Sequence, residues 1–301
     1  MRYEWQKIKR MAETNMEGLI FNSELNFTSQ VSLLADMLNE NTDCKLILVV
    51  GPSSSGKSTF TSLLKKRLEY LGIMSHTIST DDFFIDRDKV PFLPNGLKDF
   101  DSIAAVEIDL LRRTIKGVLN GEWVEIPYYD FLTGKSRLGD RLIKLHKEDI
   151  VILEGIHAFN PTLLENVDDD RVVKVSIAPR SEFDFGDGLI LYPDELRLIR
   201  RTIRDYSLRG HDFKSTIKQW EAVLAAEKVN IHPYVSTADF RVDSVYPYEL
   251  FAYKHCVKDN LKEAACEGYE KIVEVLDKVP LLPLATVPNE SLLNEFVHII
   301  K

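Results

Sequence analysis

One run of residues constrains this chain more than any other: Leu46-Ile47-Leu48-Val49-Val50, followed at once by Gly51-Pro52-Ser53-Ser54-Ser55-Gly56-Lys57-Ser58. The uninterrupted apolar stretch reads as a strand buried on both faces, at the centre of a parallel sheet. The residues after it satisfy G-x-x-x-x-G-K-[ST] at every fixed position. Residues 57–71 then place Phe60, Leu63, Leu64 and Leu68 on one helical face, with Gly72 as the stop. Strand, glycine-rich turn and helix in this order make a phosphate cradle. The glycines let several backbone N–H groups point at one anion, and the helix N-terminus adds its dipole. Lys57 reaches the β- and γ-phosphates, Ser58 offers a hydroxyl to Mg²⁺, and Thr59 approaches the α-phosphate. Gly51, Ser53, Ser54, Ser55, Gly56, Lys57, Ser58 and Thr59 are therefore the candidate ATP contacts.

The remaining pattern alternates strands with helices, which predicts an α/β P-loop NTPase fold with a doubly wound, mostly parallel sheet. Residues 1–44 read as a polar helical extension, with Val31, Leu34 and Leu38 at helical spacing and Leu33 and Met37 alongside. Further strands are expected at His76–Ser79, Asp149–Leu153, Val172–Ile177 and Phe240–Val242. Helices are expected over 103–119 and 194–209. Val124–Phe131 and Arg141–Leu145 flank Thr133-Gly134-Lys135 and suggest a β-hairpin insertion. Residues 85–101 read as a loop, and helices close the chain. The domain reading is 1–44 as an N-terminal extension, 45–256 as the catalytic domain and 257–301 as a helical tail packed on it.

Charge excludes one class of partner. Against 38 Lys and Arg stand 47 Asp and Glu, a net charge of −9, so nucleic-acid phosphates are repelled. Cys44, Cys256 and Cys266 are odd in number and include no CxxC pair, which argues against a disulfide framework or a structural zinc. The opening Met1-Arg2-Tyr3-Glu4 is interrupted by charge at once and is no secretory signal, and no apolar run spans a bilayer. The expectation is a cytoplasmic protein that acts on a small molecule, with no nucleic acid and no membrane; a homo-oligomer is left open.

Three further groups carry chemistry. Asp81 and Asp82 follow the second strand, where a carboxylate can accept the proton of an attacking hydroxyl. Glu154 ends the strand Asp149–Leu153 and is the expected Mg²⁺ acid, with Gly155 allowing close approach. Arg197, Arg200, Arg201 and Arg204 fall at i, i+3, i+4 and i+7, with Arg209 following, and read as one cationic helix face suited to a polyphosphate. The competing reading is a solvated face paired with Asp194, Glu195 and Asp205. His157 reads as a structural histidine. Neither a guanine-reading NKxD nor an LSGGQ motif is present, so a small-molecule kinase leads among P-loop proteins.

Together these segments resemble the uridine kinase / phosphoribulokinase family. The resemblance runs in order through Gly51–Phe60, Asp81-Asp82-Phe83-Phe84, Ile126–Phe131, Glu154–Pro161 and Arg197–Asp205, and covers about residues 45 to 297. It implies ATP with Mg²⁺ as donor and a nucleoside 5′-hydroxyl as acceptor. It also implies Asp81 as the general base and Asp101, with Asp99 as fallback, holding ribose hydroxyls. Tyr129 then packs at the nucleoside, and Arg201, Arg204 and Arg209 serve as lid arginines that touch the phosphates or the acceptor, Arg204 and Arg209 on the nucleotide and Arg201 on the acceptor. Three departures put base preference in question. His211 replaces a lid arginine, the tip Thr133–Ser136 lacks the pyrimidine-reading histidine, and Ser181–Asp194 is longer than in short uridine kinases. A kinase for another polyol or sugar phosphate, and a low-turnover nucleotide-binding regulator, are the rival readings.

Overall fold

A computed structural model describes residues 1–92, 96, 98–165, 167, 171–257, 268–285 and 287–297; Cys266 lies outside them. In chain order the elements begin with β1 (Arg2–Glu4), α1 (Trp5–Glu40), β2 (Leu46–Val50), α2 (Lys57–Tyr70) and β3 (Ser75–Ser79). Next come α3 (Ile108–Leu119), β4 (Val124–Asp130), β5 (Lys135–Ile143), β6 (Ile150–Glu154), β7 (Val172–Ala178), β8 (Glu182–Asp184) and β9 (Ile190–Leu191). The chain continues through α4 (Pro193–Arg209), α5 (Phe213–Asn230), β10 (Phe240–Asp243), α6 (Glu249–Val257) and α7 (Glu270–Lys278).

The main sheet has five strands in the order β3-β6-β2-β7-β10, every neighbouring pair parallel. Alternation along β2 explains the two layers around it. Ile47 and Val49 enter the core formed by α1, α2, α4 and α6, while Leu46, Leu48 and Val50 enter the core formed by α3 and the hairpin. β6 divides in the same way, with Ile150 and Ile152 on one face and Val151 and Leu153 on the other. The doubly wound α/β expectation holds, and β4 pairs antiparallel with β5 as the expected hairpin.

Several local expectations need correction. The first residues are a strand, not helix: β1 pairs parallel with β8, and β8 pairs antiparallel with β9. The long 181–194 segment thus docks the N-terminus, assisted by Arg2 Nε donating to Glu182 Oε1 (2.5 Å). Trp5 is buried against Phe185 and Phe251, with ring centroids 4.8 and 5.2 Å away. Val31, Leu34 and Leu38 are buried as expected, whereas Leu33 and Met37 face solvent. α1 breaks its helical geometry at Asn15, whose side-chain oxygen accepts the Gly18 N–H (2.9 Å) and caps the restarted helix. Residues 103–105 form a separate 3-10 turn before α3.

α5 was not anticipated from the sequence. Asp212 caps it by accepting the Ser215 N–H (2.7 Å), but its buried face is interrupted and includes only Phe213, Thr216, Trp220, Val223 and Glu227. Too few apolar residues mark its period for pattern reading to find it.

Candidate active site

The carboxyl ends of three adjacent strands supply the site. β2 runs into the phosphate loop, Glu154 at the end of β6 stands opposite Val49, and Ser79 at the end of β3 stands opposite Glu154. In-register parallel pairing therefore brings Lys57, Glu154 and Asp81 to one edge of the sheet, although they are far apart in sequence.

The loop has the backbone its motif demands. Gly56 precedes α2 with φ 91°, a left-handed conformation that glycine adopts without penalty. Lys57 Nζ donates to the Gly51 and Pro52 carbonyls (2.7 and 3.2 Å). The Ser54 and Ser55 hydroxyls are buried with no hydrogen-bond partner among the described residues, and Ser58 is exposed on the first turn of α2. Unpaired hydroxyls beside a helix N-terminus fit phosphate oxygens.

The arginine row does not form one cationic face, which corrects the sequence reading. Arg197 is buried, donates through Nη1 and Nη2 to Glu227 (2.7 and 2.8 Å), and holds the Ser53 carbonyl (3.1 Å). Glu227 also accepts the Ser53 N–H (3.0 Å). Arg200, fully buried, pairs with Glu249 and holds the Ser54 carbonyl. These two guanidiniums build the cradle rather than touch its contents. Arg201, Arg204 and Arg209 are different: all three lie within 3.5 Å of the buried Asp205 carboxylate. Three cations around one anion leave an excess of positive charge, and Arg201 Nη1 also donates to Ser53 Oγ (2.8 Å). His211 is exposed beyond Gly210, its N–H bonded to the Asp205 carbonyl (3.0 Å).

The acids are distinguished by their surroundings. Asp82 is paired with Arg141 of the hairpin (3.2 Å), which opposes but does not cancel the upward push of burial on its pKa. Asp81 has no such partner among the described residues. One side of it opens to solvent, but protein crowds the rest of the carboxyl and pushes its pKa up, with Asp82 and Asp101 adding to the shift and Lys57 and Arg209 opposing it. Glu154 is also pushed up, chiefly by burial and then by Asp81 and Glu295, against Lys57 and the Ser79 hydroxyl. Gly155 has φ 146°, and any Cβ there would collide with the Thr80 hydroxyl, so only glycine lets the chain turn away from Glu154.

Asp101 faces the same centre. Burial raises its pKa, Asp99 and Glu227 add to that, and Arg201 and Lys57 oppose it. Asn230 Nδ2 donates to its backbone carbonyl (2.8 Å), and Ser53, Asp101, Glu227 and Asn230 line one small cleft. Tyr129 is buried edge-on to Phe84 and Phe131 (5.4 and 5.0 Å between centroids), its hydroxyl without a hydrogen-bond partner among the described residues. His157 is buried and held neutral, its pKa lowered to about 4 by burial.

The fold thus gathers Lys57, Asp81, Asp101, Glu154 and the Asp205-centred arginines. Pattern reading missed Glu227 and Asn230, which sit on the unforeseen α5, and Glu295, whose carboxylate accepts from Thr59 Oγ1 (3.0 Å). No local motif announces contacts of such long range.

Comparison with known proteins places the chain in a family. A model of the "Phosphoribulokinase / Uridine kinase family" matches residues 46–250. The chain is 27% identical over 180 residues to the uridine kinase of Ureaplasma parvum, covering 60% of this chain and 78% of that protein. It is also 27% identical over 304 residues to the inorganic pyrophosphatase TTM1 of Arabidopsis thaliana, covering 96% of this chain but 43% of that one. Among solved structures, a putative fructose transport system kinase from Silicibacter sp. TM1040 shares the fold at TM-score 0.50 and 16% identity, over 70% of this chain and 98% of that one. Because the family model matches well over half of it, this chain belongs to the phosphoribulokinase / uridine kinase family.

Proposed function

We propose that this kinase transfers the γ-phosphoryl group of ATP to the 5′-hydroxyl of a ribonucleoside. The observation that carries the reading is the placement of Asp81, unpaired and raised in pKa, within the field of Lys57 and Asp101. Burial raises the pKa of both aspartates, so pairing separates them: Arg141 occupies Asp82 and leaves Asp81 to accept from an alcohol.

The donor phosphates lie on the loop amides, with Lys57 on the transferring group. Arg201, Arg204 and Arg209 spread their excess charge over the transition state. The residues fit Mg²⁺: Ser58 and Glu154 would hold it, and the cation would neutralise charge on the β- and γ-phosphates. Among the described residues no group of three or more His, Cys, Asp or Glu is arranged to bind a metal without help. That suits an ion which takes its other ligands from phosphate and water. Asp101 accepts from the ribose hydroxyls and Asp81 from the 5′-hydroxyl, orienting it for in-line attack.

Base discrimination is expected to be weak. Lys135 at the hairpin tip is engaged with Asp86 and Asp88 (3.3 and 3.0 Å), and the 181–194 segment pairs with β1. Neither then replaces the missing histidine as a reader of the base edge. We place the phosphate loop, the acids and the lid arginines in residues 45–256, with 1–44 and the described residues of 268–297 packed on them as extensions; the rest of the expected 257–301 tail lies outside the described residues. No helix among the described residues is long and apolar enough to cross a membrane. The proposed use of ATP and a nucleoside makes the cytoplasm the location we propose. ADP release with a panel of ribonucleosides, pentose phosphates and glycerate tests the acceptor class. Turnover with nucleosides supports it; turnover only with a sugar phosphate or glycerate replaces it by the polyol-kinase reading.

A further inference from the structure

The last described segment, Val287–Val297, lies outside the residues that match the family model, yet it packs on the phosphate loop. Ser291 caps a 3-10 turn over Leu292–Glu295, and its hydroxyl lies 3.2 Å from that of Tyr248, which donates to Glu24 of α1 (2.6 Å). Leu292, Leu293 and Phe296 are buried. Lys66 of α2 pairs with Glu290 (2.6 Å). Leu292 fills the space where a Cβ on Gly56 would project, and the Phe296 ring lies 5.1 Å from the Arg200 guanidinium that holds the Ser54 carbonyl.

This packing aims one charged side chain at the donor site. Glu295 Oε2 accepts from Thr59 Oγ1 (3.0 Å), and Thr59 is in the first turn of α2. The N-terminal turn of a helix attracts anions through its free N–H groups and dipole. The Glu295 charge is felt at both Glu154 and Arg209, so the carboxylate stands in the field of the proposed metal acid and of the lid.

We propose that Glu295 is a donor-site residue that sets nucleotide affinity: a tethered carboxylate competing with the α-phosphate for the Thr59 hydroxyl. Two anions cannot both approach that hydroxyl without repulsion, so nucleotide binding requires the Glu295 side chain to give it up, with the tail turn itself staying in place. The inference rests on the reading of the loop as an ATP site and not on the identity of the acceptor.

Calorimetric titration of the full chain with MgADP and MgATP tests it. Glu295→Gln keeps the shape and removes the charge, and should tighten binding by about tenfold, a conservative allowance for one nearby like charge. Glu295→Ser, which can neither repel nor reach, should tighten it in the same direction and guards against a folding defect in the first variant. Glu290→Gln loosens the tail at Lys66 without touching Thr59, and should leave affinity within twofold of wild type. Unchanged or weaker binding in both Glu295 variants overturns the proposal, weaker binding meaning that the carboxylate accepts from the nucleotide instead. Equal tightening by Glu290→Gln also overturns it, since tail packing and not the carboxylate would then be responsible. Wild-type binding is scored separately. If neither wild type nor variants bind MgADP, the ATP-site reading fails together with the proposal; if wild type binds and the ratio is one, only the role of Glu295 fails.

Discussion

Arg200 separates a reading of the helix pattern from a reading of the structure. Its spacing groups it with phosphate-binding arginines, but every N–H it carries is already used. Nε donates to Glu249 Oε2 (2.8 Å) and Nη1 to the Ser54 carbonyl and Ser244 Oγ (both 3.3 Å). Nη2 donates to the Ser244 carbonyl (2.6 Å) and Glu249 Oε1 (3.1 Å). Arg200→Met would leave Glu249 as a fully buried carboxylate supported, among the described residues, by the Tyr246 N–H and the Tyr253 hydroxyl (both 2.8 Å). Breaking a buried ion pair from one side costs about 3–5 kcal/mol. That is a large share of the roughly 5–15 kcal/mol that holds a typical domain folded. With a urea m-value of about 2–3 kcal/mol/M, the midpoint should fall by about 1–2.5 M at unchanged m. Equilibrium urea unfolding followed by far-UV circular dichroism measures this directly. A midpoint equal to wild type, accompanied by weakened ATP binding, would refute the reasoning and return Arg200 to the phosphate-binding face.

Other substitutions probe the reacting groups. Lys57→Ala should lower kcat by about 10²–10³ in a steady-state ADP-release assay, the usual effect of removing one preorganised donor. Asp81→Asn should cost about 10²–10⁴ in kcat with ATP affinity retained, and Asp82→Asn should be the milder change because Arg141 already occupies Asp82. Because burial raises the Asp81 pKa, the acid limb of kcat/KM should lie above the ordinary aspartate value of about 3.9. The linked stability has a definite sign. A carboxyl whose folded pKa is raised contributes stability below its unfolded pKa and loses it as pH rises through the folded value. Asp81→Asn should therefore raise the Tm of the free protein at neutral pH while removing its activity, which scanning calorimetry at pH 7 checks.

What the sequence revealed followed the range of the interactions. β2, the phosphate loop and α2 are legible because strand, turn and helix each carry their signal within a few residues. Asp81 and Glu154 are legible because they end apolar strands, and parallel sheets build sites at strand ends. The roles of Arg197 and Arg200 are not, since their partners Glu227 and Glu249 lie 30 and 49 residues away and only folding shows that they are buried pairs. The strand Arg2–Glu4 is too short to carry a pattern, and its partner strand is 180 residues distant. α5 fails for another reason: its inner face carries Thr216 and Glu227 among the apolar residues, because that face builds the site as well as the core.

The account stands most directly on the product of one reaction. Wild-type protein and Asp81→Asn would be incubated with MgATP and uridine, and the products resolved by ³¹P NMR and mass spectrometry. The account predicts uridine 5′-monophosphate and ADP in equal amounts from the wild type, and a loss of about 10²–10⁴ in their rate of formation with Asp81→Asn. Phosphate released to water without a phosphorylated nucleoside, or undiminished product from Asp81→Asn, would contradict it.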